Sequence, residues 1–202
     1  AVETFAPIEL PDDAYFEYAF IDDTGAFRAD PLNDVARNQW YDFARGVFGP
    51  AYQPASLNLG EQTVAPLGEL RRESLHSAAL GQTRRYLIYT PSGYEQQLLP
   101  NVYVQDGLSF LYYAKLPQVL DALVAAGAVP PVRLVLIPPL AREVEYPFHE
   151  PYMRFVLDEL LPVVDEQAAC DGQRVALGAS LGGLVSVNLA RQAPQVFQTV
   201  AC

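Results

Sequence analysis

Between residues 174 and 192 the chain reads as strand, tight bend, helix, with a serine at the bend, and few folds accommodate that succession. Arg174-Val175-Ala176-Leu177 is extended and largely apolar. It runs straight into Gly178-Ala179-Ser180-Leu181-Gly182, a G-x-S-x-G pattern, and an apolar helix from Leu181 to Gln192 leaves it. The spacing has a chemical reason. A serine hydroxyl is a poor nucleophile until a base takes its proton, and it must project from the sheet toward substrate. A sharp strand-to-helix turn does this by holding the serine in a strained backbone conformation, with small residues at 178 and 182 where backbones approach. The helix then begins at the nucleophile, so its positive dipole end and the Leu181 N–H face a developing oxyanion. Gly183 extends the small surface on which the helix meets the sheet.

The segments upstream supply the rest of such a sheet. Glu69 to Leu80 and Arg84 to Thr90 read as two strands joined at Gly81-Gln82. Asn101 to Gln105 is a short apolar strand. Leu116, Val119, Leu120, Leu123 and Val124 repeat at helical spacing, ended by Gly127 with Pro130-Pro131 beyond. Val132 to Ile137 is a β-branched and Leu-rich run suited to a strand buried on both faces. Pro151 opens a helix carrying Val156, Leu160 and Val164, and Pro162 inside it predicts a kink or an early end. Gln173 to Leu177 is the next strand, and Phe197 to Cys202 starts another. Strand–helix alternation of this kind predicts an α/β fold, a mostly parallel sheet flanked by helices. A second oxyanion donor is expected in the loop after the strand at 101–105, where Asp106-Gly107-Leu108 stands. There Gly107 permits tight turning and the N–H of Gly107 or Leu108 is the candidate; an ordinary Asp-Gly turn is the other reading.

The first third of the chain differs. Ala14 to Ile21 alternates like a strand, with Phe16, Tyr18 and Phe20 on one face expected to be core. Asp22-Asp23-Thr24-Gly25 offers a turn after which Ala26-Phe27-Arg28 pairs back. Pro31 to about Gly68 is rich in Pro, Gly and Asn around Trp40-Tyr41-Asp42-Phe43, which suggests a long connection draped over another surface. The expected division is residues 1–65, the tail of a β domain plus linker, and residues 66–202, the N-terminal portion of an α/β catalytic domain.

Composition narrows the partners. Half the residues are hydrophobic, and 24 acidic against 13 basic side chains give a net charge of −11. A phosphate backbone would be repelled, so no nucleic acid is expected. No run of eighteen apolar residues exists, so no membrane partner is expected either. The start lacks the pattern of a secretory signal. Two cysteines, Cys170 and Cys202, without CxxC spacing argue against a zinc site or a disulfide framework and favour a cytoplasmic protein. No metal or cofactor is expected, and for a nucleophilic serine at such a bend the expected partner is a small-molecule ester. A hydrophobic strand exposed at the sheet edge would invite pairing between copies, hence a homo-oligomer.

An elbow serine needs a histidine base and an acid, which on this fold follow it in chain order. After Ser180 there is no His, Asp or Glu, and the only histidines are His76 and His149. His76 lies on an outer strand among Arg and Ser, as a solvent-facing residue would. His149 follows the strand at 132–137, on the rim where Ser180 stands, and becomes a pocket candidate. The expectation is that the natural polypeptide continues past Cys202 and supplies both; the alternative is a complete but catalytically dead chain.

Arg84-Arg85-Tyr86-Leu87-Ile88-Tyr89-Thr90-Pro91-Ser92-Gly93-Tyr94, Val104-Gln105-Asp106-Gly107, Glu159-Leu160-Leu161-Pro162 and Gly178-Ala179-Ser180-Leu181-Gly182-Gly183-Leu184, in that order, resemble the Putative esterase family. It includes enterochelin esterases, esterase D type enzymes and some feruloyl or acetyl xylan esterases. The resemblance covers about residues 70 to 202 and implies an α/β-hydrolase fold with Ser180 as nucleophile. It implies that Arg142 and Glu145, in the Arg142–Tyr146 stretch, are pocket candidates beside Asp106. It also implies that the hairpin at 14–28 is the remnant of an immunoglobulin-like domain. Ester hydrolysis through an acyl-enzyme on Ser180 is the leading expectation. A non-catalytic binding module, or an acyltransferase with the same nucleophile, are the alternatives.

Overall fold

The computed structural model describes residues 8–35, 38, 41–53 and 67–202. The chain divides into two compact units, Ala1–Gly60 and Glu61–Cys202. The boundary expected near residue 66 lies outside the described residues.

The first unit contains two small antiparallel ladders. β1 (Tyr15–Tyr18) pairs with β4 (Arg45–Phe48), and β2 (Phe20–Ile21) pairs with β3 (Phe27–Arg28). The expected hairpin therefore survives only at its tip. There the Asp22 carboxylate accepts N–H bonds from Thr24 and Ala26, both at 2.9 Å, and Gly25 takes φ 82°. Tyr15 to Tyr18 instead reaches forward to β4, inside the stretch read as linker. The close fit there is backbone on ring: a Cβ on Gly46 would come within 2.8 Å of the Tyr15 ring, and Tyr15 stacks on Phe48 with centroids 4.9 Å apart. Phe16 and Phe20 are exposed rather than core, because among the described residues the two short ladders of this unit offer no second layer over them.

The second unit is a six-stranded sheet in the order β10-β9-β7-β8-β6-β5. β5 (Glu69–Ser77) and β6 (Gln82–Thr90) form an antiparallel hairpin, with Gly81 at φ 65° in its turn. β6 is antiparallel to β8 (Arg133–Ile137). From there β7 (Leu99–Gln105), β9 (Cys170–Leu177) and β10 (Thr199–Ala201) run parallel to β8. Helices cover both faces because neighbouring strand residues point to opposite sides and both sides are apolar. Ile88, Tyr103, Val135 and Ile137 pack one way, against Tyr152, Phe155, Val185 and Leu189. Leu87, Val104, Leu134 and Leu136 pack the other way, against Leu111 and Leu120 of α1 (Gly107–Tyr112) and α2 (Leu116–Ala125). Each such side chain contributes roughly 1.5–3 kcal/mol by leaving water.

Pro162 does not end its helix. Helical geometry runs from α4 (Glu150–Arg154) through a π-helical stretch, Phe155–Leu160, into α5 (Leu161–Gln167). A widened turn just upstream relieves the crowding of a proline ring against the preceding carbonyls, so the helix continues instead of breaking.

Polar burial is concentrated at the two ends of the parallel strands. At the amino end Arg133 is 3% exposed. Its guanidinium donates to Thr90 Oγ1 (3.1 Å) and to the carbonyls of Ala169 (2.9 Å) and Gln97 (3.3 Å), and Nη1 also reaches Asn101 Oδ1 at 3.3 Å. Burial pulls this guanidinium below its ordinary pKa. No described helix is long and apolar enough to cross a membrane.

Candidate active site

β9 ends at Leu177, α6 (Leu181–Gln192) begins four residues later, and Ser180 stands at the bend with φ 55° and ψ −123°. That backbone region is essentially reserved for glycine and costs a residue with a side chain about 1–3 kcal/mol. Ser180 is the residue before the helix, where a serine ordinarily accepts an N–H from the first turn. Here its side chain makes no such cap bond and is exposed. Stability therefore does not explain the serine. The bend closes only because its flanks lack side chains: a Cβ on Gly178 would collide with the Gly182 carbonyl group and come within 2.9 Å of the Gly183 nitrogen. Leu181 is the first residue of α6, so its N–H has no acceptor within the helix.

The neighbouring strand, β7, ends beside this bend. Asp106 follows it in the left-handed region, φ 55° and ψ 39°. The positive φ thus falls on Asp106, and Gly107 is needed for a different reason than turning. Its missing side chain lets α1 lie on the end of β8, where a Cβ would strike the Ile137 nitrogen and sit 2.5 Å from the Leu136 carbonyl carbon. The Asp106 carbonyl already accepts the N–H groups of Ser109 (2.8 Å) and Phe110 (3.2 Å). Gly107 and Leu108 occupy the first turn of α1, where N–H groups lack helical acceptors. Asp106 Oδ2 would lie 2.9 Å from a Cβ on Gly182, so the two loops are in contact.

Arg142, on α3 (Arg142–Glu145), joins them. Its fork grips Asp106 through Nε–Oδ1 at 2.9 Å and Nη2–Oδ2 at 3.1 Å, and Nη2 also lies 3.4 Å from the Ala179 carbonyl. The paired carboxylate holds the guanidinium above its ordinary pKa. Behind the fork is a buried aromatic brace. The Tyr146 hydroxyl accepts the Asp106 N–H at 2.7 Å, Arg142 stands over the Tyr146 ring at 5.6 Å, and Tyr152 donates to Gln105 Oε1 at 2.6 Å. Burial, then the Asp106 charge, pushes the Tyr146 hydroxyl well above its usual pKa, so it stays protonated at any physiological pH. Arg142 and Asp106, expected to line a pocket, thus hold each other and the bend.

Glu145 is corrected more sharply. It is 3% exposed, and both carboxylate oxygens are taken by Arg84, at 2.8 and 3.1 Å. Glu145 Oε2 also accepts the Leu140 N–H at 3.2 Å, while Arg84 donates to the Pro138 carbonyl at 3.0 Å. The pair clamps the loop after β8 and so aims Arg142; it has no free oxygen for a substrate. From sequence, Arg84, Tyr146, Tyr152 and Gln105 had no role of their own at the site. One signal was there: Arg84 shares strand parity with Tyr86 and Ile88, and an arginine on a core-facing parity demands a carboxylate. His149 caps α4, its carbonyl accepting the Tyr152 N–H (3.0 Å) and the Met153 N–H (3.2 Å), and its Nδ1 is buried without a partner. His76 is exposed on edge strand β5, four strands from β9. Neither histidine hydrogen-bonds Ser180. Around this end of the sheet Leu108, Leu140, Val144 and Phe148 are exposed apolar side chains.

A family model described as Putative esterase matches residues 77–202. The chain belongs to that esterase family. The ferric enterobactin esterase of Salmonella typhimurium is similar in structure, with a TM-score of 0.76 at 22% identity over 95% of this chain and 56% of its own. The enterochelin esterase of Shigella flexneri gives 0.74 at 22% identity over 94% of this chain and 55% of its own. An IroE-like serine hydrolase from Shewanella oneidensis gives 0.58 at 26% identity, covering 65% of this chain and 49% of its own. The chain thus spans a little over half the length of the two esterases and about half of the hydrolase. These likenesses establish the α/β-hydrolase fold expected from the strand–helix alternation. No curated protein sequence matches the chain.

Proposed function

We propose that this chain carries the nucleophile and oxyanion elements of a serine esterase that hydrolyses small carboxylic esters. The reading rests on one observation: Ser180 occupies a glycine-like conformation, exposed, without capping the helix it precedes. In it, Ser180 Oγ adds to the ester carbonyl carbon and its proton passes to a base. The carbonyl oxygen becomes an oxyanion held by the Leu181 N–H and by Leu108 or Gly107. One such donor contributes about 3 kcal/mol to the barrier. Collapse expels the alcohol and leaves an acyl-serine; water then adds, and the acid departs as Oγ recovers its proton. Residues 181–202 contain no His, Asp or Glu, so the base and its acid are not drawn from them. The rim of exposed Leu108, Leu140, Val144 and Phe148 favours an apolar acyl or alcohol group against the scissile bond.

The test is turnover of p-nitrophenyl acetate by the protein as its gene encodes it. Ser180→Ala is expected to lower kcat at least ~10³-fold with the fold intact. A Ser180→Ala protein that keeps its kcat would overturn the reading. Adding methanol separates hydrolysis from acyl transfer: a hydrolase yields chiefly acetate, an acyltransferase chiefly methyl acetate.

A further inference from the structure

A second feature of the same end of the sheet plays no part in that chemistry. An open cavity of about 420 Å³ lies between α1 and the β5–β6 hairpin, lined by Arg72, Ser74, Arg85, Leu108, Tyr112 and Pro138. Ser74 is the register partner of Arg85, and Arg72 that of Leu87, so all four share one strand face. The two arginines are diagonal neighbours there, close enough for one planar anion to touch both. Leu87 faces the α1–α2 layer, which puts both guanidiniums on the side of Leu108 and Tyr112.

Both arginines are exposed, and neither has a hydrogen bond or ion pair among the described residues. Elsewhere in this acidic chain the arginines Arg28, Arg84, Arg142 and Arg174 are each matched to a carboxylate. Glu73 is the only carboxylate of the lining. Its register partner is Tyr86, a member of the core on the opposite face, so it does not neutralise the pair. Placement ties the cavity to the serine. Leu87 pairs with Leu136, so Arg85, two residues earlier on an antiparallel strand, stands level with Pro138, just past the end of β8. That is the end at which β9 delivers Ser180. Leu108 borders the cavity and follows Asp106 and Gly107 in the loop beside the bend. β6 is three strands from β9, which at about 4.8 Å per step is roughly 14 Å.

We infer that Arg72 and Arg85 form a subsite for a carboxylate at the far end of the ester, with Tyr112 and Leu108 against the apolar body joining it to the scissile bond. The preferred substrate is therefore an aryl or long-chain monoester of a dicarboxylic acid, its free carboxylate roughly 10–15 Å from the reacting carbonyl. This specificity rests on Ser180 being the nucleophile; the binding site does not.

The experiment compares two aryl esters of equal length, one ending in a carboxylate and one in its methyl ester, together with the non-hydrolysable amide of the acid, on the protein as its gene encodes it. The carboxylate ester is expected to have a KM at least ~10-fold lower than the methyl ester, a preference that fades as salt rises. In Arg72→Gln and Arg85→Gln that KM is expected to rise about 10-fold at unchanged kcat, with the methyl ester unaffected and Arg85→Lys restoring part of the loss. Equal KM values in the wild type, or variants that shift both esters alike, would overturn the subsite. If neither ester turns over, calorimetry with the amide decides. Binding lost in Arg72→Gln and Arg85→Gln keeps the subsite while the esterase reading fails; no arginine-dependent binding sinks the subsite.

Discussion

The two ends of the parallel strands handle difficult backbone differently. At the amino end the positive φ angles fall on Gly93, Gly127 and Gly172, which adopt them at little cost. At the carboxyl end Gly81 takes one in the β5–β6 turn, but Asp106, Phe148 and Ser180, which have side chains, take positive φ as well. The arginines divide likewise. Arg133 at the amino end is buried among neutral acceptors and finishes its work inside the fold. Arg142 at the carboxyl end is about a third exposed and ties a strained loop to a strained bend. Glycine would relieve the carboxyl end if relief were all that mattered. Its absence at 106 and 180 teaches that a side chain is required there, and strain of this kind gathers where chemistry is done.

The contrast can be broken first at the glycines. Gly178→Ala places a Cβ into the Gly182 carbonyl, whereas Gly127→Ala meets nothing within 4 Å and suffers only from its φ of 67°. Urea unfolding is expected to show a loss of about 3 kcal/mol or more for the first and about 1 kcal/mol for the second. Equal losses would mean that the bend is not tightly packed. Next come the arginines. Arg133→Met is expected to lose about 3 kcal/mol of stability with kcat unchanged in the folded protein. Arg142→Met is expected to lose about 1 kcal/mol but roughly tenfold in kcat, because the donors near Ser180 are no longer held together. Steady-state kinetics beside denaturation curves separate the two patterns. Smallest is the strain itself. Ser180→Gly is expected to be about 1 kcal/mol more stable than Ser180→Ala, seen as a Tm higher by roughly 2–4 °C.

What the sequence revealed follows from range. The strand, bend and helix around Ser180 were legible because each is set by residues next to one another; the expected helix, Leu181 to Gln192, has the bounds found. The six strands of the sheet were legible for the same reason, through alternation and apolar runs. The partnerships were not. Asp106 and Arg142 are 36 residues apart and Arg84 and Glu145 are 61 apart, and nothing local says that β6, β7 and the loop after β8 converge. Glu145 accordingly looked like a pocket residue when it is a clamp. The N-terminal strand misled because Asp22 to Gly25 is a strong turn signal yet secures only a two-residue ladder. The early end expected at Pro162 did not follow, because the extra room of a π-helical turn leaves no trace in composition.

Reaction of the gene-encoded protein with a fluorophosphonate, followed by peptide mapping, tests the nucleophile most directly. A single stable phosphonyl adduct on Ser180, abolished in Ser180→Ala, is the expected result. An unlabelled Ser180, or an adduct carried by another residue and retained in Ser180→Ala, would contradict the account.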